Sequence, residues 1–217
     1  ECTAKDGGAF YNKGTLTMTD ITMSNNKTTD CGGGAVSNHG KLSITGFEIK
    51  NNTSEGNGGA IWSETSVYLK TGTMDGNKSN ITGDDNGGGA VYMKKGTLEI
   101  HDATISNNSC NSDGGAIMCD SGSSTIKAYN TDFTGNYAPS DGGAIKTKAD
   151  NEFRNCTFTK NSCGNKGGAI DLASSAKGNF YACTIEDNTA PKGSAIRYDS
   201  HAKYSFNEGT QVTGVIY

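Results

Sequence analysis

One short phrase recurs along the whole sequence, and this repeat limits the folds that the chain can adopt. The phrase is Gly-Gly-Ala followed by an apolar residue. Its alanines are 26, 25, 30, 26, 28, 25 and 26 residues apart, and the last copy is degraded to Gly193-Ser194-Ala195-Ile196. A period of about 20 to 50 residues is typical of stacked repeats. We therefore expect residues 1–217 to form one repeat domain. Its repeats begin near Gly7, Gly33, Gly58, Gly88, Gly114, Gly142, Gly167 and Gly193.

A second motif, an apolar residue followed three positions later by asparagine, comes after each Gly-Gly-Ala phrase. Its first copy is Met23-x-x-Asn26, and apolar residues alternate upstream of it at Leu16 and Met18. Alternation with a period of two is typical of a β-strand. Stacked asparagine side chains can hydrogen-bond to one another along a rod, so we predict a structural asparagine ladder. Its members are Asn26, Asn52, Asn77, Asn108, Asn136, Asn161 and Asn188.

The two motifs together predict three short strands per repeat. One strand follows Gly-Gly-Ala, one ends at Met18 and its equivalents, and one ends at Met23 and its equivalents. No segment has the 3.6-residue period of a helix. We therefore predict an all-β fold, a single-stranded parallel β-helix of about eight coils with 25–30 residues each. Coils that stack at the inter-strand spacing make a rod about 35–40 Å long.

Two of the second motifs begin with phenylalanine, at Phe133-x-x-Asn136 and Phe158-x-x-Asn161. The fixed order of Gly-Gly-Ala-Ile and Phe-x-x-Asn resembles the repeats of the chlamydial polymorphic outer membrane proteins and of related adhesin-like surface proteins. The resemblance extends from Gly7 to about Asn188. It implies a right-handed parallel β-helix that is extracellular or displayed at a cell surface. The implied partner is a host or neighbouring cell-surface molecule or glycan.

Charge and hydropathy exclude two classes of partner. The chain has 23 acidic and 19 basic residues, a formal net charge of −4, and no cluster of Lys and Arg. We therefore expect no nucleic-acid partner, because phosphate neutralisation needs such clusters. No apolar run approaches the length of about 18 residues that a membrane span needs.

Many parallel β-helices cleave polysaccharides, and those hydrolases need two or three carboxylates on one face. Asn130-Thr131-Asp132 and Asp84-Asp85 each resemble a fragment of a pectin-hydrolase signature. The matching His-Gly element occurs only at His39-Gly40, which precedes both fragments in the chain. We therefore predict no catalytic residue and a non-enzymatic adhesin-type or structural module.

Two alternative functions follow from the same fold class. A polysaccharide-binding or polysaccharide-cleaving protein is favoured if carboxylates and aromatic residues, such as Trp62 or Tyr92, line a groove. An ice-binding protein is the other alternative, because Thr15, Thr17 and Thr19 form a threonine array in the first repeat. Charged and bulky residues replace these threonines in later repeats.

Three aspartates, Asp6, Asp113 and Asp141, directly precede Gly-Gly. Stacked carboxylates in turns are the oxygen ligands that Ca²⁺ prefers. Lys166 and Lys192 occupy the same position in later repeats, where they predict a charge ladder that needs no metal. We therefore predict no cofactor, with calcium at the three aspartates as the alternative.

Seven cysteines are many for this length, and their spacing matches no zinc motif. Cys156 and Cys183 occupy one inward column in adjacent coils, and Cys2 and Cys31 flank neighbouring turns. Adjacent coils bring Cα atoms to within the range of a disulfide. We expect at least one of these two pairs to be bonded, which favours an extracellular location.

The ends of the repeat array carry unpaired strand edges. The array begins at Gly7, and residues 211–217 are an apolar tail. We expect either a piece of a longer rod or copies stacked end to end into a filament, because a head-to-tail contact that does not close propagates.

Overall fold

The computed structural model describes residues 1–83 and 86–217, and in this part of the chain every regular element is a β-strand. The strands form a parallel solenoid of about eight coils with three sheets along its length, here called A, B and C. Each strand pairs in parallel with the equivalent strand of the next coil. No helix in the described residues is long and apolar enough to span a membrane.

The three sheets differ in strand length. Sheet A contains Thr3–Ala4, Lys27–Thr28, Thr53–Ser54, Lys78–Ser79, Ser109–Cys110, Tyr137–Ala138 and Ser162–Cys163. Sheet B contains Phe10–Asn12, Val36–Asn38, Ile61–Ser63, Val91–Met93, Ile117–Cys119, Ile145–Thr147, Ile170–Leu172 and Ile196–Tyr198. Sheet C begins with Thr15–Ser24, Lys41–Lys50, Val67–Asp75, Thr97–Ser106 and Thr125–Thr134. It continues as the split strands Asp150–Arg154 with Thr157–Thr159, Lys177–Tyr181 with Thr184–Glu186, and Lys203–Asn207 with Gln211–Val212.

The division of each coil into strands differs from the sequence prediction. The segments that end at Met18 and Met23 belong to one strand, Thr15–Ser24, and not to two. The third strand of the coil is Lys27–Thr28, which follows the ladder asparagine. The predicted boundary is instead a bend inside sheet C at Asp20, whose φ is 50°.

The bends form columns of residues with left-handed backbone. One column crosses sheet C, with φ between 48° and 66°, at Asp20, Gly46, Thr71, Asp102, Asn130, Asn155, Ala182 and Glu208. A second column, with φ between 52° and 65°, precedes the ladder asparagines at Asn25, Asn51, Gly76, Asn107, Gly135, Lys160 and Asp187. Gly, Asn and Asp adopt this conformation more readily than other residues, which explains their abundance at these corners.

The main core is a continuous apolar cluster that runs from Met18 to Ala202, and a smaller cluster of Cys110, Ala138 and Cys163 lies under sheet A. In the C-terminal half of the main core phenylalanines stack between coils: the rings of Phe133 and Phe158 are 4.8 Å apart, and those of Phe153 and Phe180 are 5.2 Å apart. All four side chains are fully buried. Burial of each contributes about 1.5–3 kcal/mol, so the thin core is stabilised along its whole length.

The ladder asparagines lie in one column at the corner between sheets C and A. The Nδ2 of Asn77 donates to the Oδ1 of Asn108 at 3.0 Å, and the Nδ2 of Asn108 donates to the Oδ1 of Asn136 at 3.1 Å. From Asn52 onward, each Oδ1 also accepts the backbone N–H of the preceding ladder asparagine, as Asn136 does from Asn108 at 3.0 Å. The second N–H of Asn108 donates to the backbone carbonyl of Met74 at 3.0 Å. The column thus pairs polar groups that the next coil would otherwise bury without partners.

Candidate functional site

A groove runs along the rod between sheet B and the loops that precede Gly-Gly-Ala. The middle residue of each sheet B strand points away from the apolar core, because its two neighbours point inward. Several of these outward side chains are nevertheless buried, including Ser37, Met118 and Asp171, which have no exposed surface. Loop residues such as Asp30 and Asn57 line the same hollow as Ser37, so the loops fold over this face of the sheet. Here, "the groove" means this covered face.

The N-terminal part of the groove is an open hollow of about 240 Å³. Two rings that line it, His39 and Trp62, have centroids 4.9 Å apart, and the Tyr11 ring next to the hollow lies 4.9 Å from His39, both pairs in tilted contact. The carboxylates of Asp6 and Asp30 line the hollow beside Trp62. Aromatic faces and carboxylates therefore converge at a concave surface, which is the usual composition of a small-ligand site.

Charged side chains hold the rings in place. The Nδ1 of His39 donates to the Oε1 of Glu64 at 2.8 Å, and this hydrogen bond lowers the pKa of the Glu64 carboxyl. The Nζ of Lys94 lies 5.8 Å from the centroid of the Trp62 ring. The Nζ of Lys13 lies 5.3 Å from the centroid of the Tyr11 ring. These contacts favour the observed orientation of the three rings.

Ser37, His39 and Glu64 are arranged in the order of a nucleophilic triad. The Oγ of Ser37 lies 3.4 Å from the Nε2 of His39, whose Nδ1 is bonded to Glu64. Ser37 has no exposed surface, because Gly32 covers it. It also lies in mid-strand with neighbours on both sides, so its backbone N–H is held in the sheet. The arrangement can orient His39, but in this geometry a substrate cannot reach the hydroxyl.

The C-terminal part of the groove is filled by ion pairs. The Nζ of Lys146 lies 2.9 Å from the Oδ2 of Asp113 and 3.5 Å from the Oδ2 of Asp141. Burial alone would lower the pKa of Lys146, but the attraction of Asp113 and then Asp141 outweighs it and raises the pKa. Asp171 lies one coil after Lys146, and Arg197, one coil further on, lies 3.1 Å from the Oδ1 of Asp171. This half of the groove is therefore occupied by the protein's own side chains.

Burial raises the pKa of Asp171 to about 7, against the attraction of Arg197. Its Oδ2 has no hydrogen-bond partner among the described residues. Because the folded-state pKa lies above the ordinary value of 3.8, folding favours the protonated form. The protonated Asp171 therefore adds to the free energy of unfolding below about pH 4. This contribution is lost as the pH rises to about 7 and the folded-state carboxyl ionises.

We expect Asp171→Asn to flatten the pH dependence of stability between pH 4 and 7. The asparagine cannot ionise, and Arg197 keeps its ion pair with Asp199. The wild-type protein should lose about 2–4 kcal/mol relative to the variant across this range. Urea unfolding at intervals of half a pH unit measures the difference between the two curves, and parallel curves would contradict the assignment.

The three calcium candidates lie in different surroundings. Asp6 lines the open hollow, whereas Asp113 and Asp141 share the ammonium of Lys146. Asp141 and Lys166 are register partners, as the predicted charge ladder requires, but the ammonium that lies 3.5 Å from Asp141 is that of Lys146. Within residues 1–83 and 86–217, no group of three or more His, Cys, Asp or Glu is placed to hold a metal ion.

All seven cysteines are free thiols, so neither predicted disulfide is present. Cys156 and Cys183 do occupy adjacent coils in register, next to the pair Thr157 and Thr184. In-register Cβ atoms are about one strand spacing apart, near 4.8 Å. A disulfide requires about 3.5–4.5 Å, so the stack would have to compress to form one. The two thiols instead donate to backbone carbonyls, as Cys156 does to Ala128 at 3.3 Å.

Cys2 and Cys31 lie at different positions of the coil. Cys2 lies opposite Asn26, and its backbone N–H donates to the Oδ1 of that residue at 2.9 Å. Cys31 is bonded through its backbone N–H to Lys5. Both thiols are exposed, and burial followed by the charges of Asp6 and Asp30 raises the pKa of Cys31.

The fragment Asn130-Thr131-Asp132, which resembles part of a pectin-hydrolase signature, lies on the sheet C strand Thr125–Thr134 and not in the groove. Asn130 lies at the bend of sheet C and donates to Asp102, and Thr131 is buried. Asp84 and Asp85 lie outside the described residues. Tyr92 is buried, and its hydroxyl donates to the Oδ2 of Asp120 at 3.1 Å.

The groove itself was missed at the sequence level, although its middle column was readable. The outward positions of sheet B carry Tyr11, Ser37, Trp62, Tyr92, Met118, Lys146, Asp171 and Arg197. Large and charged residues at one position after every Gly-Gly-Ala indicate a specialised face.

A family profile described as a right-handed β-helix region matches residues 45–211. The chain belongs to the right-handed β-helix family. The match spans most of the chain and agrees with the parallel register of all three sheets. Comparisons of this β-helix with curated proteins and with solved structures found no match.

Proposed function

We propose that this β-helix is a non-enzymatic, adhesin-type module that binds a glycan in the open part of its groove. It acts outside the cell or at a cell surface, in keeping with the surface-protein repeats that its sequence resembles. The rod presents the groove as a rigid surface, because every strand around it is paired with the neighbouring coils.

The observation that carries the proposal is the ring column of Tyr11, His39 and Trp62 beside Asp6 and Asp30. A sugar ring has apolar C–H faces and a rim of hydroxyl donors. Aromatic rings contact the C–H faces, and carboxylates accept the hydroxyl hydrogens. The hollow of about 240 Å³ therefore suits a segment of a glycan chain.

Binding fits the geometry better than cleavage does. His39 is held by Glu64, and the Ser37 hydroxyl has no exposed surface. Asp6 and Asp30 both line the hollow, but the Oδ1 of Asp6 is buried, whereas a glycosidase needs two accessible carboxyl groups that flank the scissile bond. The end-to-end filament and the ice-binding surface stay predictions from the sequence alone.

We expect Trp62→Ala to weaken binding of a neutral oligosaccharide at least about tenfold, which corresponds to about 1.4 kcal/mol. The variant removes the Trp62 ring, which is the last of the three rings Tyr11, His39 and Trp62. A panel of neutral oligosaccharides screened by isothermal titration calorimetry measures the loss. Tyr11→Ala is a second variant at a side chain that is 46% exposed, so it removes less buried surface than a core substitution does.

Tyr137→Ala is the matched control, because Tyr137 is 47% exposed but lies on sheet A outside the groove. It should leave the affinity unchanged. Equal affinities for wild type, Trp62→Ala and Tyr11→Ala would place the glycan elsewhere, and no binding to any neutral oligosaccharide would refute the proposed function.

A further inference from the structure

A second hollow, of about 370 Å³, lies at the turn between sheets B and C in the last coils. Its lining is rich in cationic and hydrogen-bond-donating side chains: Lys148, Lys177, Lys203, His201 and Ser175. We call this site the lysine hollow. Its one lining carboxylate is Asp150. A chain with a formal net charge of −4 therefore gathers positive charge at this place.

Lys177 and Lys203 are direct register partners on adjacent strands. Their Cα atoms are about 4.8 Å apart, and like charges directly opposite each other destabilise a sheet. Asp150 lies on the preceding strand and pairs with Lys177 at 2.9 Å. Asp150 therefore pairs with Lys177, and among the described residues the Lys203 ammonium has no carboxylate within ion-pair distance.

The remaining donors converge on the same space. The Nδ1 of His201 lies 3.1 Å from the Oγ of Ser200, which leaves its Nε2 edge for a ligand. Ser175 is exposed and adds a hydroxyl. Lys148 closes the opposite side, with its Nζ held 2.8 Å from the Oδ1 of Asp120. An anion placed between these donors relieves the repulsion between Lys177 and Lys203.

We propose that the lysine hollow binds the carboxylate or sulfate groups of an acidic polysaccharide. The hollow is open and much larger than a single inorganic anion, so it admits a substituted sugar and not only its charged group. Its lining residues, from Gly122 to Lys203, belong to later coils than those of the aromatic hollow, and the proposal does not depend on glycan binding there. The rod then has two glycan-binding surfaces of different chemistry.

The test compares three probes by calorimetry at low and at physiological salt: a sulfated oligosaccharide, a uronate oligosaccharide and inorganic sulfate. We expect Lys203→Gln to weaken binding of the preferred acidic oligosaccharide about tenfold and Lys177→Gln to weaken it several-fold. Added salt should weaken wild-type binding, because exposed ion pairs are screened. The sulfate and uronate arms identify which anionic group is recognised.

Lys78→Gln is the matched control, since Lys78 is an exposed lysine on sheet A, away from the hollow. Unchanged binding in Lys203→Gln overturns the proposal. Inorganic sulfate that binds as tightly as both oligosaccharides also overturns it, because the site would then hold a simple anion. Trp62→Ala should keep its affinity for the acidic oligosaccharide, so failure of the aromatic groove and failure of the lysine hollow are distinguishable.

Discussion

Gly115→Ala is expected to destabilise the rod by about 3 kcal/mol or more. A Cβ at this position would lie 2.1 Å from the backbone oxygen of Gly143 and 2.6 Å from the backbone nitrogen and carbon of Tyr137. These atoms belong to the next coil, and stacked coils cannot separate locally without breaking the hydrogen bonds between them. Urea unfolding followed by circular dichroism measures the change.

The degraded last repeat provides the control for this prediction. Ser194 occupies the position of Gly115, and the segment that faces it is Gly214 and Val215. The N–H of Val215 donates to the Oγ of Ser194 at 2.9 Å, so the side chain is accommodated. We expect Ser194→Gly to change the stability by less than about 1 kcal/mol. If Gly115→Ala is as mild as Ser194→Gly, close packing of backbones is not the reason for the Gly-Gly pair.

The stacking of coils was predictable because one period repeats and because the same apolar columns recur in every coil. The strand boundaries were not, since residues such as Asp20 and Thr71 bend sheet C through a left-handed conformation without ending the strand. The two-residue strands of sheet A are also too short to show alternation. Asn25 and Asn51, which precede ladder asparagines, were the available indication of a second corner.

The candidate site was less predictable than the fold. Trp62 and His39 are 23 positions apart in the chain, and their contact depends on the register of two coils. Which face the loops cover is set by tertiary packing, so the sequence could not show that Ser37 is buried while Tyr11 is exposed. The charge ladder was assigned to the residue before Gly-Gly, whereas the ammonium that pairs with Asp141 belongs to Lys146, on the strand after it.

Asn108→Ala is expected to lower the free energy of unfolding by about 3–5 kcal/mol. Asn108 has no exposed surface, and its Oδ1 accepts both the backbone N–H of Asn77 at 2.9 Å and the Nδ2 of that residue at 3.0 Å. Its Nδ2 donates to Met74 and Asn136. Alanine leaves two buried donors and one buried carbonyl without partners, and each costs about 1–3 kcal/mol.

The effect should be local as well as global, because each coil of a solenoid contacts only its neighbours. Hydrogen exchange is therefore expected to accelerate first at the amides of Asn77 and Asn108, while urea unfolding reports the total loss. Asn111→Ala is the matched control: this asparagine is exposed, and its side chain makes one hydrogen bond among the described residues, to the backbone carbonyl of Asn80 at 3.2 Å. It should cost less than about 1 kcal/mol. Equal losses in Asn108→Ala and Asn111→Ala would mean that the buried ladder adds no more to the stability of the rod than one surface hydrogen bond.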